Sequence, residues 1–159
     1  MKLTQHTDYA IRVLMFAASK RLDSGADALS SIREIAEAYG ISENHLMKVV
    51  HRLAGLGWLE TLRGRNGGLR LAGDPGAIRL GAVVRAIEED MNLVECFGEG
   101  STCPLTVGCR LAKALDGARG EFLASLDQHT LADLLPRARV KQIVALSDAI
   151  ADRMREGKT

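Results

Sequence analysis

The stretch SIREIAEAYGISENHLMKVVHRLAGLGWLETLRGRNGGLRL, residues 31–71, decides the fold. Ser31 with Glu34 makes a capping box, in which hydroxyl and carboxylate each take a backbone N–H that a helix start leaves without a partner. Ile32, Ile35, Ala36 and Tyr39 follow at the spacing of an amphipathic helix face. Gly40 ends that helix, where a left-handed residue is needed. Ser42 caps a second helix, with Leu46, Val49, Val50 and Leu53 at the same spacing, and Gly55 and Gly57 stop it. Trp58–Leu62 reads as a strand, Arg63 to Gly68 as a turn built on Asn66-Gly67, and Leu69-Arg70-Leu71 as the return strand. Two short helices across a glycine turn are, alone, any helical hairpin; the basic-tipped β-hairpin that follows predicts a winged helix-turn-helix. The helix beginning at Ser42 would enter a major groove, with Ser42, Asn44, His45 and Lys48 at its leading end. Arg52, Arg63, Arg65 and Asn66 would hold phosphates or the minor groove.

Outward from this stretch the chain is mostly helical. Tyr9–Ala18 is apolar apart from Arg12 and predicts a buried helix, followed by a polar turn over Leu22–Leu29. Asp74-Pro75 is a helix start, leading to a stripe of Leu80, Val83, Val84 and Ile87. A long helix is expected from about Arg110 to Gln128, with Leu111, Leu115, Ala118, Phe122 and Leu126 on one face. Little else in one subunit is left to cover that face, which points to a homodimer. Gly117 and Gly120 either permit a close helix crossing or break the helix. Thr130 to Asp133 reads as a weaker cap, and Val140–Arg155 as a terminal helix. The fold class expected is mainly α with a small β-hairpin wing, a winged helix-turn-helix plus a long dimerisation helix. Residues 1–74 would be the DNA-binding domain, 75–109 a connecting helix and cysteine loop, and 110–159 the dimerisation and C-terminal helices.

Composition sets few limits. With 159 residues, 47% hydrophobic, 26% charged and a net charge of +1, the chain reads as an ordinary globular protein. The charge is local: residues 42–70 carry five basic side chains (Lys48, Arg52, Arg63, Arg65, Arg70) against Glu43 and Glu60. The uncharged apolar run Val13–Ala18 is too short for a membrane span or a signal core, so no membrane partner and a cytoplasmic location are expected. No nucleophile–base pair is visible, and the glycines of the wing tip join two strands rather than cradling a nucleotide at a helix start. The chain does not read as an enzyme.

All three cysteines, Cys96, Cys103 and Cys109, lie in a stretch from Ala86 to Cys109 that has no Lys or Arg. An odd number of thiols cannot all pair within a subunit. Zinc prefers cysteine pairs two to four residues apart, and a C-x-x-C redox pair is missing. Spacing alone leaves a metal centre, a thiol switch and buried structural cysteines open.

Met1 to about Leu135 resembles the winged-helix iron–sulfur repressors. The carrying residues are Leu3-Thr4, Thr7-Asp8-Tyr9-Ala10, Glu34-Ile35-Ala36, Ile41-Ser42, the wing run Arg63 to Gly68 with Leu71-Ala72, the cysteine triplet, and Thr130 to Leu135. No histidine follows Cys109 closely, as in the branch that regulates cluster assembly (IscR-like); Arg110, Leu111 and Ala112 stand there. The chain has Asp8 instead, and is closer to the nitric-oxide-sensing branch (NsrR-like). The resemblance implies an iron–sulfur cluster on Cys96, Cys103 and Cys109, with a four-iron form (4Fe–4S) favoured over a two-iron form (2Fe–2S). It implies Asp8 of the partner subunit as fourth ligand; the residue's ordinary role would be to cap the first helix, a role Thr7 could equally fill. It further implies a homodimeric repressor on a palindromic operator of double-stranded DNA, released when nitric oxide nitrosylates the cluster, so that nitric-oxide-detoxifying genes are expressed. The alternative keeps the DNA-binding role but responds to cluster status or thiol oxidation.

Overall fold

Helix formation begins at Thr4, whose hydroxyl accepts the Thr7 N–H at 3.3 Å and opens α1 (Gln5–Ser24). The computed structural model describes residues 2–64, 67–98, 100–105 and 108–135. α1 is longer than its apolar stretch at both ends. Thr4, not Thr7 or Asp8, is the cap, and Leu22 to Ser24 remain helical until Gly25, at φ 96°, returns its N–H to the Arg21 carbonyl at 3.0 Å. Ala10, Val13, Leu14, Ala17 and Ala18 form one stripe along α1, and each is 2% exposed or less.

The helix-turn-helix is built as its sequence predicts. Ser31 and Glu34 close the capping box (2.6 and 3.1 Å) of α2 (Ile32–Tyr39), and Gly40 ends it in the left-handed region. Ser42 caps α3 (Glu43–Gly55), which buries Leu46, Val49, Val50 and Leu53. The wing is the antiparallel pair β1 (Leu59–Leu62) and β2 (Gly68–Leu71), in the register Leu59 to Leu71 and Leu62 to Gly68. Trp58 lies just before β1, its carbonyl still accepting the Ala72 N–H at 3.0 Å. Ser30 adds a bridge to the other edge of β2, exchanging two backbone hydrogen bonds with Leu69. That approach needs Gly68, because a Cβ there would stand 2.7 Å from the Ser30 carbonyl oxygen.

Asp74 caps as expected, but it opens only the 3-10 turn Pro75–Ala77. The helix carrying the apolar stripe, α4 (Leu80–Ile87), starts five residues beyond Pro75 without a side-chain cap. The intervening backbone is held elsewhere: Ile78 accepts the Leu131 N–H at 2.8 Å and Leu80 donates to the His129 carbonyl at 3.0 Å. The return segment is itself pinned by a Thr130–Asp133 capping box on the 3-10 turn Leu131–Leu134. The long helix is α5 (Arg110–Asp127), unbroken at Gly117 and Gly120, both of which face open space. Its end docks on α4: Arg85 grips both Asp127 carboxylate oxygens (2.7 and 3.0 Å) and Arg79 takes the Asp127 carbonyl at 2.7 Å. Hydrogen bonding from Arg85 holds the Asp127 carboxyl below its ordinary range. The contact therefore persists at neutral pH and weakens only as pH falls through that depressed value.

One core runs from Ala10 to Leu135, with α1 at its centre and α3, β2, α4 and the turn at Leu131 around it. No residue of α5 is buried, and Leu111 is 65% exposed. Ala118 is exposed too, and Leu115, Phe122 and Leu126 are half-buried, so no residue of the predicted stripe is fully covered within a single chain. The predicted helix Val140–Arg155 lies outside the described residues.

Leu131→Ala should lower the unfolding free energy by about 2–5 kcal/mol, because Leu131 is fully buried against α1. Leu22→Ala should change it by less than about 0.5 kcal/mol, its side chain being 60% exposed. Urea denaturation followed by circular dichroism measures both.

Candidate functional site

Because α3 spends its apolar face on the core, its polar face is free. Ser42, Asn44, His45, Lys48, His51 and Arg52 are all exposed. The Ser42 hydroxyl is engaged by the His45 N–H at 3.3 Å, which leaves Asn44, His45 and Lys48 as side chains with free polar ends at the leading turn. His45 leans toward the ring of Tyr9, 6.4 Å between centroids, so α1 fixes the flank of this surface. Arg52 has a partner in the protein: its Nη2 donates to the Ala86 carbonyl at 3.0 Å, in the last turn of α4. On the wing, Arg63 is exposed, and Arg65 and Asn66 lie outside the described residues. Arg70 is neutralised at the stem by Glu60 and Asp27, at 2.8 and 2.6 Å.

The cysteine loop leaves α4 at Glu88 and ends at α5. Cys96 sits in the 3-10 turn Glu95–Phe97, which Arg119 of α5 covers with its guanidinium 5.4 Å from the Phe97 ring centre. Cys103 lies three residues after Gly100, which has a φ of 78°, and its N–H donates to the Ser101 hydroxyl at 3.3 Å. Cys109 is the N-cap of α5, its Sγ accepting the Ala112 N–H at 3.4 Å. Cys96 and Cys109 are half-buried and Cys103 is exposed.

These donors suit an iron–sulfur cluster in kind. They are thiols, solvent can reach them, no cation lies within residues 86–109, and Cys109 stands at the N-terminus of α5, where its sulfur accepts a backbone N–H. Among the described residues, no three His, Cys, Asp or Glu side chains form a group that could hold a metal ion, so neither the three cysteines nor Asp8 with them makes one. Asp8 instead pairs with Arg12 one turn on, both carboxylate oxygens meeting Nε at 3.0 and 3.1 Å, with roughly half of each side chain exposed. That hydrogen bond raises the Arg12 pKa above its ordinary value. Arg12 also lies over the Tyr39 ring, 5.8 Å from its centre, joining α1 to α2.

One residue of the neighbourhood was not singled out in the sequence. Glu88, the residue that ends α4 and begins the loop, is 9% exposed and turns its carboxylate onto the start of α1. It accepts the Thr4 N–H at 3.2 and 3.3 Å, the Thr4 hydroxyl at 3.2 Å and the Thr7 hydroxyl. Its partners are more than eighty residues away. Nothing local separates it from Glu89 and Asp90; only its place at the foot of an apolar helix was a signal.

Comparison with known proteins finds relatives over most of the chain. Residues 3–137 match the family model Rrf2, described as an iron-dependent transcriptional regulator. The chain is 49% identical over 136 residues to the HTH-type transcriptional regulator NsrR of Bacillus licheniformis, covering 85% of this chain and 92% of that protein. It is 50% identical over 146 residues to the protein of the same name from Geobacillus kaustophilus, covering 91% and 97%. Among solved structures, CymR, the global cysteine regulator of B. subtilis, superimposes with a TM-score of 0.67 at 26% identity, covering 84% of this chain and 95% of that one.

Because the Asp8–Arg12 pair is half-exposed, Asp8→Asn should change the unfolding free energy of the metal-free protein by less than about 1 kcal/mol. Chemical denaturation measures this. A larger loss would mean that Asp8 is held in its pair with Arg12 for stability.

Proposed function

This chain belongs to the Rrf2 family of transcriptional regulators, and from that premise we propose that it is a homodimeric repressor that senses nitric oxide through an iron–sulfur cluster. The relatives at about half identity, all named as transcriptional regulators and not as enzymes, span nearly its whole length. The observation that carries the reading is the placement of every thiol on one cation-free loop that springs from α4, whose last turn is hydrogen-bonded to α3.

Cys96, Cys103 and Cys109 hold the cluster in this reading, a four-iron form in preference to a two-iron one, with Asp8 of the partner subunit as fourth ligand. When bound, the cluster supplies an iron whose carboxylate ligand is harder and more weakly held than thiolate, open to a small ligand such as nitric oxide. The protein's own residues do the rest. α3 enters the major groove of a palindromic operator with Ser42, Asn44, His45 and Lys48 leading, and two-fold symmetry sets the half-sites one helical turn or a multiple apart. Arg52 on α3 and Arg63, Arg65 and Asn66 of the wing hold phosphates or the minor groove. Asp8, by changing between Arg12 and the partner's loop, alters what holds α1 and so the setting of the two α3 helices. A ligand acts only through such a difference between states. The uncovered face of α5 is the dimer contact, and the protein works in the cytoplasm.

A second reading keeps the regulator and changes its input to cluster status or thiol oxidation; the exposed position of Cys103 favours it. Operator binding titrated against nitric oxide, against peroxide and in the metal-free protein separates the two.

Replacing Cys96, Cys103 or Cys109 by Ser should abolish the iron–sulfide charge-transfer absorption of anaerobically purified protein. Retention of iron and sulfide in all three variants would end the cluster reading. Arg63→Ala should lower operator affinity across sequences and reduce the salt slope of log K by about 1; an unaltered slope removes Arg63 from the phosphate contacts.

A further inference from the structure

We infer that Glu88 is the positioning residue through which the state of the cysteine loop reaches the DNA-reading helix, its buried carboxylate locking the root of the loop to the first turn of α1. The inference rests on the reading of that loop as the sensor, and deepens it.

Glu88 is the only charged side chain buried among the described residues. A buried carboxylate is strongly unfavourable unless donors meet it. Here they come from one place, the N-terminus of a 20-residue helix: the Thr4 N–H, the Thr4 hydroxyl and the fully buried Thr7 hydroxyl. The helix dipole adds to them, since α1 presents its positive end to the carboxylate. Thr4 is the cap of α1 and its carbonyl accepts the Asp8 N–H at 3.1 Å, so the turn that Glu88 grips is the turn that carries Asp8.

The other side of the same short segment faces α3. The last carbonyls of a helix lack intrahelical donors. That of Ala86, two residues before Glu88, is met by Arg52 from the end of α3. The last turn of α4 is thus bonded to α1 on one side and to α3 on the other, and the cysteine loop leaves from it directly. A shift of the loop's root, or of the Asp8 turn, is delivered to α3 through two defined polar contacts in addition to the apolar packing of α1 on α3. A cap that served α1 alone would have no reason to sit on the residue where the loop begins.

The test uses the full-length protein and Glu88→Gln, which keeps shape and loses charge; Thr7→Val, which removes one donor and leaves Glu88 in place, serves if Glu88→Gln does not fold. In the metal-free protein, hydrogen exchange should quicken both in the first turn of α1 and in the last turn of α3. In operator titrations, the ratio of affinities between the cluster-loaded and metal-free forms should fall about fivefold or more relative to wild type. Faster exchange confined to α1, or a wild-type affinity ratio in the variant, overturns the inference and leaves Glu88 a cap. A wild type whose operator affinity is equal in the two forms overturns the sensor reading, and the inference with it.

Discussion

The small residues along one side of α1 constrain everything else. Ala10, Ala17 and Ala18, with Val13 and Leu14 between them, let three different elements approach one helix closely. α3, β2 and α4 all pack there, and the turn at Leu131 closes the ring. Larger side chains at the alanines would push these neighbours out and disturb the angle at which α3 is presented. The same helix begins with Thr4, Thr7 and Asp8, so the element that centres the core also carries the polar turn nearest the loop.

What the sequence made legible was local. The Ser31–Glu34 box, Gly40, the Ser42 cap and the Asn66-Gly67 turn are signals complete within a few residues, and α2, α3, β1 and β2 lie within one or two residues of where those signals put them. The cysteines were equally plain, because three thiols in a stretch without a cation need no three-dimensional context to draw notice. The failures were tertiary. Asp74 caps, yet the helix expected from it is delayed to Leu80, because the backbone at Ile78 and Leu80 bonds to Leu131 and His129 some fifty residues on. The sequence offers Thr7 or Asp8 as the cap of α1, but it is the Thr4 hydroxyl that accepts the Thr7 N–H, while the Thr7 hydroxyl turns inward to Glu88.

The site divides in the same way. Its thiols are plain in the sequence, but the connections around them are not. Arg52 to Ala86, Arg85 to Asp127 and Glu88 to Thr4 are separated by 34, 42 and 84 residues. Each joins a charged side chain that, read linearly, passes for a solvated one. Together they frame the loop: Arg85 and Arg79 fix the far end of α5, while Arg52 and Glu88 fix the end of α4. Between those anchors the cysteines sit on short turns and glycines in left-handed conformation, a segment with little buried surface of its own. Segments of that kind open and rearrange at the lowest free energies in a fold, as a responsive element must.

The capture of Arg70 by Glu60 and Asp27 has a consequence for how this regulator meets its target. With Arg70 of the wing stem paired, the exposed cations of this face that make no ion pair among the described residues include Lys48 on α3 and Arg63 beyond the stem. Two bright spots separated by a dark strip draw a polyanion in one orientation rather than over a broad face. Long-range attraction then delivers DNA already aligned, and less of each encounter is spent in rotational search.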